Sequence, residues 1–261
     1  MEENINIQKI LQRLEQRIPF TFVRFSDGET EVLQERTLIL GENNIHFKGQ
    51  NINVGYPKYD VKTFLPNEQR DLINDLWSSL GYKSEDYFIG IPWKHNLEDD
   101  HKWYLDYVRG ASFTNADLLV NSNYRFFRKK LVPTILTFEN VYVVANHRAK
   151  DKFGLFNNIF SLGDDFFGNY EETKKDILRD LLTIEEGSVV LSSASSLSNI
   201  LGYELRQSRN DVTFIDCGSS INYLIGLGST RVYQWLAFGP RNLFQFKQCV
   251  VHILTGKYFM K

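Results

Sequence analysis

The chain has 261 residues, 43% hydrophobic, 14% aromatic and 24% charged, with a formal net charge of -2 at pH 7. A chain this long and this apolar buries a substantial core, which excludes intrinsic disorder. With 30 basic against 32 acidic residues there is no positive excess to neutralise a phosphate backbone, so a nucleic-acid partner is not expected.

No run of about 18 apolar residues offers a membrane span. Cys217 and Cys249 form neither a CxxC nor a zinc spacing, which fits a reduced, cytoplasmic protein. The first residues are acidic and polar and carry no secretory signal pattern.

Taken in chain order, Ile7, Ile10, Leu11, Leu14 and Ile18 recur at helical steps, and Pro19 stops them. Phe20 to Phe25 reads as a short strand. Residues 37–65 are rich in Asn and Gly and read as irregular, with room for a short hairpin. Leu72, Ile73, Leu76, Trp77 and Leu80 mark a helix, with Pro66 near its start and Gly81 after its end. Tyr87 to Ile91 is a strand closed by Pro92. Trp103, Tyr107 and Val108 suit one helix, and Leu118 to Lys130 another. Val141 to Val144 is a buried strand. Tyr170 to Thr183 is a helix, with Asn169 and Glu172 spaced as a capping box. Ser188 to Leu191, Leu197 to Gln207, Val212 to Ile215 and Ile221 to Leu227 then read as strand, helix, strand and short helix.

Strands alternating with helices predict an α/β fold: a Rossmann-like, mostly parallel sheet with helices on both faces. A single domain over 1–261 is expected, with 229–261 as a closing segment. In that segment Leu243, Phe246, Val250 and Ile253 suit a closing helix, a homo-oligomer contact or an acceptor-side wall.

Four expected strands end in polar residues: Asp27 and Glu29, then Asn146, His147 and Arg148, then Ser192 to Ser196, then Asp216, Gly218, Ser219 and Ser220. In a parallel sheet these ends share one edge, where ligands bind. Asp27 and Glu29, with Gly28 between them allowing close approach, can offer two hard oxygen ligands to magnesium or manganese. On spacing alone, a solvated acidic turn that starts a helix is the simpler reading. The serine turn before Leu197 suits a phosphate or ordinary capping by Ser195 or Ser196. Asp216 suits a base, a ribose partner, a metal ligand or a turn. Arg24, inside an apolar run, needs an anionic partner, either a protein carboxylate or a ligand phosphate. Arg148 and Lys152 are phosphate candidates by exposure. Arg125, Arg128, Lys129 and Lys130 can meet an anion, but a solvated helix end is the leading reading. Tyr56, Tyr59, Trp93 and Trp103 can stack on sugar rings or pack in the core.

Arg24-Phe25-Ser26-Asp27-Gly28-Glu29 resembles the Arg-Phe-Gly-Asp-Gly-Glu signature of the GT-D type glycosyltransferases, a family first catalogued as a domain of unknown function. "LSSASSLSNILGYEL" followed by "TFIDCGSSINYLIG" is similar to that family's late nucleotide-binding helix and Asp-x-Gly strand end. The resemblance runs over most of residues 20–225. It implies transfer of a sugar from a nucleotide-sugar donor, typically a uridine diphosphate sugar, to a glycan or other hydroxyl acceptor. It also implies that Asp27 and Glu29 serve a divalent metal, manganese or magnesium, and the diphosphate. The donor-binding set expected here is Arg24, Gly28, Asn146, Arg148, Lys152, Ser195, Ser196, Asn199 and Ser219. Asp27 joins the catalytic set, with Asp216 ranked before Glu204 as the proton acceptor if the reaction inverts. Two positions depart from the family pattern: Ser26 replaces a glycine, and the loop Ser195 to Asn199 lacks the Gly-Pro and lysine of relatives. The rival readings are an S-adenosylmethionine-dependent methyltransferase, from Asp216-Cys217-Gly218 after a strand, and a nucleotide-sugar binder without catalysis.

Overall fold

The computed structural model describes residues 5–53, 55–93, 98–229 and 231–236. The chain opens with α1 (Ile7–Glu15), β1 (Thr21–Arg24) and α2 (Asp27–Leu33), then β2 (Leu38–Leu40), β3 (Ile45–Phe47), β4 (Gln50–Ile52) and β5 (Lys62–Phe64). Next come α3 (Arg70–Gly81), β6 (Tyr87–Ile91), α4 (Glu98–Leu105) and β7 (Ser112–Asn115). A helical stretch follows, in which α5 (Tyr124–Phe126), a π turn (Phe127–Leu131) and α6 (Val132–Ile135) run end to end. The second half holds β8 (Val141–Asn146), β9 (Asn158–Leu162), α7 (Tyr170–Leu181), β10 (Val189–Ser193), α8 (Ser196–Ser208), β11 (Thr213–Asp216) and α9 (Val232–Leu236).

Seven strands form one sheet in the order β7-β6-β1-β11-β10-β8-β9, parallel at every pairing. The apolar runs are continuous because both faces are covered. Val23, Ile89, Val144, Val190 and Phe214 pack in the core beneath α2, α3, α7 and α8. Their neighbours Phe22, Phe88, Val143, Leu191 and Ile215 pack on the opposite face with α1 and α6. This is the Rossmann-like α/β arrangement expected from the sequence. The chain builds outward from β1 to β6 and β7, then returns to lay β11 against the other side of β1. The carboxyl ends of β1 and β11 therefore flank a topological switch point, the crevice where open α/β sheets bind ligands.

Several local expectations are corrected. Residues 37–65 are not irregular: β2 to β5 form a separate antiparallel sheet in the order β4-β3-β2-β5. Its three-residue strands are too short to show a period. The edge strands β7 and β9 carry polar residues and were not expected at all. The first helix ends at Glu15, and the expected helix over 118–130 starts later and continues to Ile135. Asn169 makes no side-chain cap to α7, so the capping box does not form. The helix expected over 221–227 does not form: Gly218–Ile221 is a 3-10 turn and residues 222–226 follow as turns. Cys217 is a buried free thiol. Cys249, with Leu243, Phe246, Val250 and Ile253, lies outside the described residues. Among the described residues no helix is long and apolar enough to cross a membrane.

Candidate functional site

The end of β1 is locked by its own polar residues. Ser26 is extended and precedes α2, and its backbone N–H donates to Glu29 Oε2 at 3.0 Å. Glu29 Oε1 accepts from Ser196 Oγ at 3.0 Å, so this buried carboxylate ties the start of α2 to the start of α8. Asp27 behaves differently. Its Oδ1 accepts from Gly28 N at 3.0 Å and Ser26 Oγ at 3.2 Å, and among the described residues Oδ2 takes no hydrogen bond.

Arg24 turns back over the switch point. Its Nε donates to Ala116 O at 2.7 Å, and its carbonyl accepts from Asn199 Nδ2 at 2.9 Å. Burial opposes its charge, but the fields of Asp216, Tyr233, Asp117 and Glu29 outweigh burial and keep the guanidinium firmly protonated. Next to it, Asp216 is 5% exposed, and its Oδ1 accepts from Gly218 N at 2.9 Å. Burial, aided by Glu29 and opposed by Arg24, pushes the Asp216 carboxyl up to about 7. Gly218 has a φ of +48°, and a Cβ there would collide with the Arg24 guanidinium, so only glycine lets that arginine lie where it does.

Between β10 and α8, Ser195 adopts φ 50° and ψ -141°, outside the favoured basins for a residue with a side chain. Such strain concentrates at functional turns. Its Oγ accepts from Lys62 Nζ at 3.0 Å, and that ammonium also sits 3.2 Å from Asp60. Lys62 and Asp60 come from the antiparallel sheet and the turn before it, so the small sheet forms one wall of the site.

Asp27, Glu29, Ser195 and Asp216 line one cleft of about 1020 Å³, together with Arg24, Gly28, Asn146 and Ser219. Tyr56, Tyr59 and Trp93 line it too; Trp103 does not, packing instead against Trp77 and Tyr107. Five expected residues are not in the lining. Arg148 is paired with Asp164. Lys152 lies against Gly226. Asn199 and Ser196 are buried behind the wall, holding Arg24 and Glu29. Glu204 is two turns into α8, about 12 Å along the helix from its start, because α8 runs back from the strand ends. There burial, with Asp75 nearby, raises its carboxyl. Sequence reading missed Lys62, Asp60, Asp117, Arg231 and Tyr233, all cleft-lining. Arg125, read as part of a solvated helix end, lines the cleft as well.

The donor set for a cation is narrow. Among the described residues no three His, Cys, Asp or Glu side chains gather as a metal group. Each oxygen of Glu29 accepts one hydrogen bond, so of the expected Asp27–Glu29 pair Asp27 presents the freer carboxylate. Asp27, with Glu29 beside it, fits a magnesium-like ion, which takes one or two carboxylates and fills its sphere with water and phosphate oxygens.

No family model and no curated protein matches the chain. Solved structures do. The chain is 16% identical to one described as "The highly conserved domain of unknown function 1792 has a distinct glycosyltransferase fold", with a TM-score of 0.53 over 85% of this chain and 82% of that one. It is 14% identical to "A New Glycosyltransferase (DUF1792) from Streptococcus sanguinis", again with a TM-score of 0.53, over 87% of this chain and 86% of that one. At these identities the likeness is one of fold.

Proposed function

We propose that this chain is a glycosyltransferase that moves a sugar from a nucleotide diphosphate sugar, a uridine diphosphate sugar first among them, to a hydroxyl of a glycan or other acceptor. The fold likeness supports the class. The observation that carries the reading is that Asp27, Ser195 and Asp216, from three separate strand ends, line one cleft at the switch point.

The roles follow from each environment. Asp27 has the open carboxylate oxygen and is the residue that would hold a divalent cation, manganese or magnesium; such an ion supplies positive charge opposite the leaving diphosphate. Arg24, kept charged behind it, adds a fixed cation to the same cleft. Asp216, with a carboxyl near 7, is matched to accept a proton close to neutrality. It takes the proton of the acceptor hydroxyl as that oxygen attacks the anomeric carbon; the bond from that carbon to the diphosphate oxygen breaks, and the nucleoside diphosphate leaves. Glu29 and Ser196 act at one remove, by fixing the turns that carry Asp27 and Ser195.

The test is a thermal-shift panel of nucleoside diphosphates, their sugars and S-adenosylmethionine, with and without manganese, followed by donor turnover. Asp27→Asn should lose metal-dependent turnover by on the order of 10² while melting near the wild type. Full activity in that variant ends the assignment. A second reading, a nucleotide-sugar binder without transfer, draws on the engagement of Glu29 in capping; donor binding without sugar release by the wild type would select it.

A further inference from the structure

We propose that Lys62 neutralises the donor diphosphate, reaching across the cleft from the antiparallel sheet to the serine turn; this rests on the nucleotide-sugar reading above. Along β5 the side chains alternate, so Lys62 and Phe64 point to the same side. Phe64 is fully buried and meets Phe167 edge-on at 6.2 Å. The inward position two residues earlier should therefore be apolar. It is a lysine instead, 9% exposed. Lysine is almost never buried unless paired, because its charge is costly to desolvate.

The pairing it has is incomplete. An ammonium carries three donors. Ser195 Oγ takes one at 3.0 Å and Asp60 lies 3.2 Å away, which among the described residues leaves the third for a ligand. Asp60 is shared, with Arg231 at 3.9 Å, so this wall sets two cations against one carboxylate. All four residues line the cleft. The serine turn itself, residues 192–199, carries no basic side chain, and the cation facing it is Lys62. Stability does not explain the choice, since buried ion pairs replaced by apolar side chains of similar volume are commonly as stable. Salt-bridged to Asp60, the ammonium offers charge and N–H donors, which is what phosphate oxygens require.

Calorimetric titration of uridine, guanosine and thymidine diphosphates in the presence of manganese tests the assignment on wild type, Lys62→Met and Lys62→Arg. Lys62→Met should weaken nucleoside diphosphate binding by about tenfold or more, as loss of a charge-assisted contact does. It should also flatten the salt dependence of binding. Lys62→Arg should stay within about threefold, because the charge survives. Equal binding by Lys62→Met overturns the proposal and leaves the nucleotide-sugar reading standing. Equal losses in both variants, with both melting earlier, assign the lysine to structure and also overturn it. If wild type binds none of the three, the donor reading falls and this proposal with it.

Discussion

Asp216 shows how a strand end tunes a carboxyl group. Folding moves it from an ordinary 3.8 up to about 7, chiefly by burial. Between those values the folded chain holds a proton that the unfolded chain has released. Stability from this group is therefore complete below pH 3.8 and is lost as pH rises through about 7. Asp216→Asn removes that dependence. Urea unfolding at a series of pH values should show wild type losing stability relative to the variant from about pH 4 to 7, with no further change above. Parallel curves would mean that the carboxyl titrates normally. The residue scale also explains which parts of the site were legible. Asp27, Ser195 and Asp216 follow strands whose apolar runs are plain in the sequence, so their common edge could be expected. Glu29 has the expected residue type, but its hydrogen bonds from Ser26 and Ser196 are visible only once α2 and α8 meet. Lys62 left one signal, a charged residue two positions before a buried phenylalanine, which goes unseen unless that segment is first read as a strand.

At the scale of elements, the site depends on how closely α8 lies on the sheet. A Cβ added at Gly202 would come within 2.9 Å of Val23 Cγ1 and of Phe214 Cδ1, so the helix rests almost directly on β1 and β11. The same helix presents Ser196 to Glu29 and follows the strained turn at Ser195. Gly202→Ala should cost about 1–3 kcal/mol by overpacking, read by chemical denaturation. It should also weaken nucleotide binding, because lifting α8 shifts the serine turn relative to β1; unchanged stability would show that the sheet yields without cost. The central strands β1, β6, β8, β10 and β11 were readable because burial on both faces enforces unbroken apolar runs. The edge strands β7 and β9 were not: each pairs with one neighbour only, and polar residues such as Ser112, Thr114, Asn158 and Ser161 interrupt the apolar run. The three-residue strands β2 to β5 take their order from pairing with one another, information that lies between segments rather than within any one.

At the scale of the whole molecule, a large parallel body carries a small antiparallel arm whose loops close over the cleft. Tyr59 donates to Gly228 O at 2.9 Å, and Arg231 approaches Asp60 at 3.9 Å, so the arm meets the segment after β11 above the switch point. The arm holds to the body through Leu38 and Phe64 in the core, with Phe64 against Phe167, and through polar ties that include the Thr63 N–H on Asp165 at 2.7 Å, Lys48 N on Glu31 Oε2 at 3.0 Å and Lys62 on Ser195. Its four strands have three residues each and pair only with one another, so the arm should open at lower free energy than the seven-stranded sheet. Phe64→Ala sharpens that difference. Deleting a buried phenyl ring costs about 3–5 kcal/mol, and here the cost falls on the arm's attachment. Hydrogen exchange should then show amides of β2 to β5 losing protection while those of β1, β6, β10 and β11 keep it. Because the arm delivers Lys62 and Asp60, nucleoside diphosphate affinity should fall alongside, by at least as much as in Lys62→Met. Equal loss of protection in arm and sheet would instead make the two a single cooperative unit, and the cleft wall as rigid as the strands beneath it.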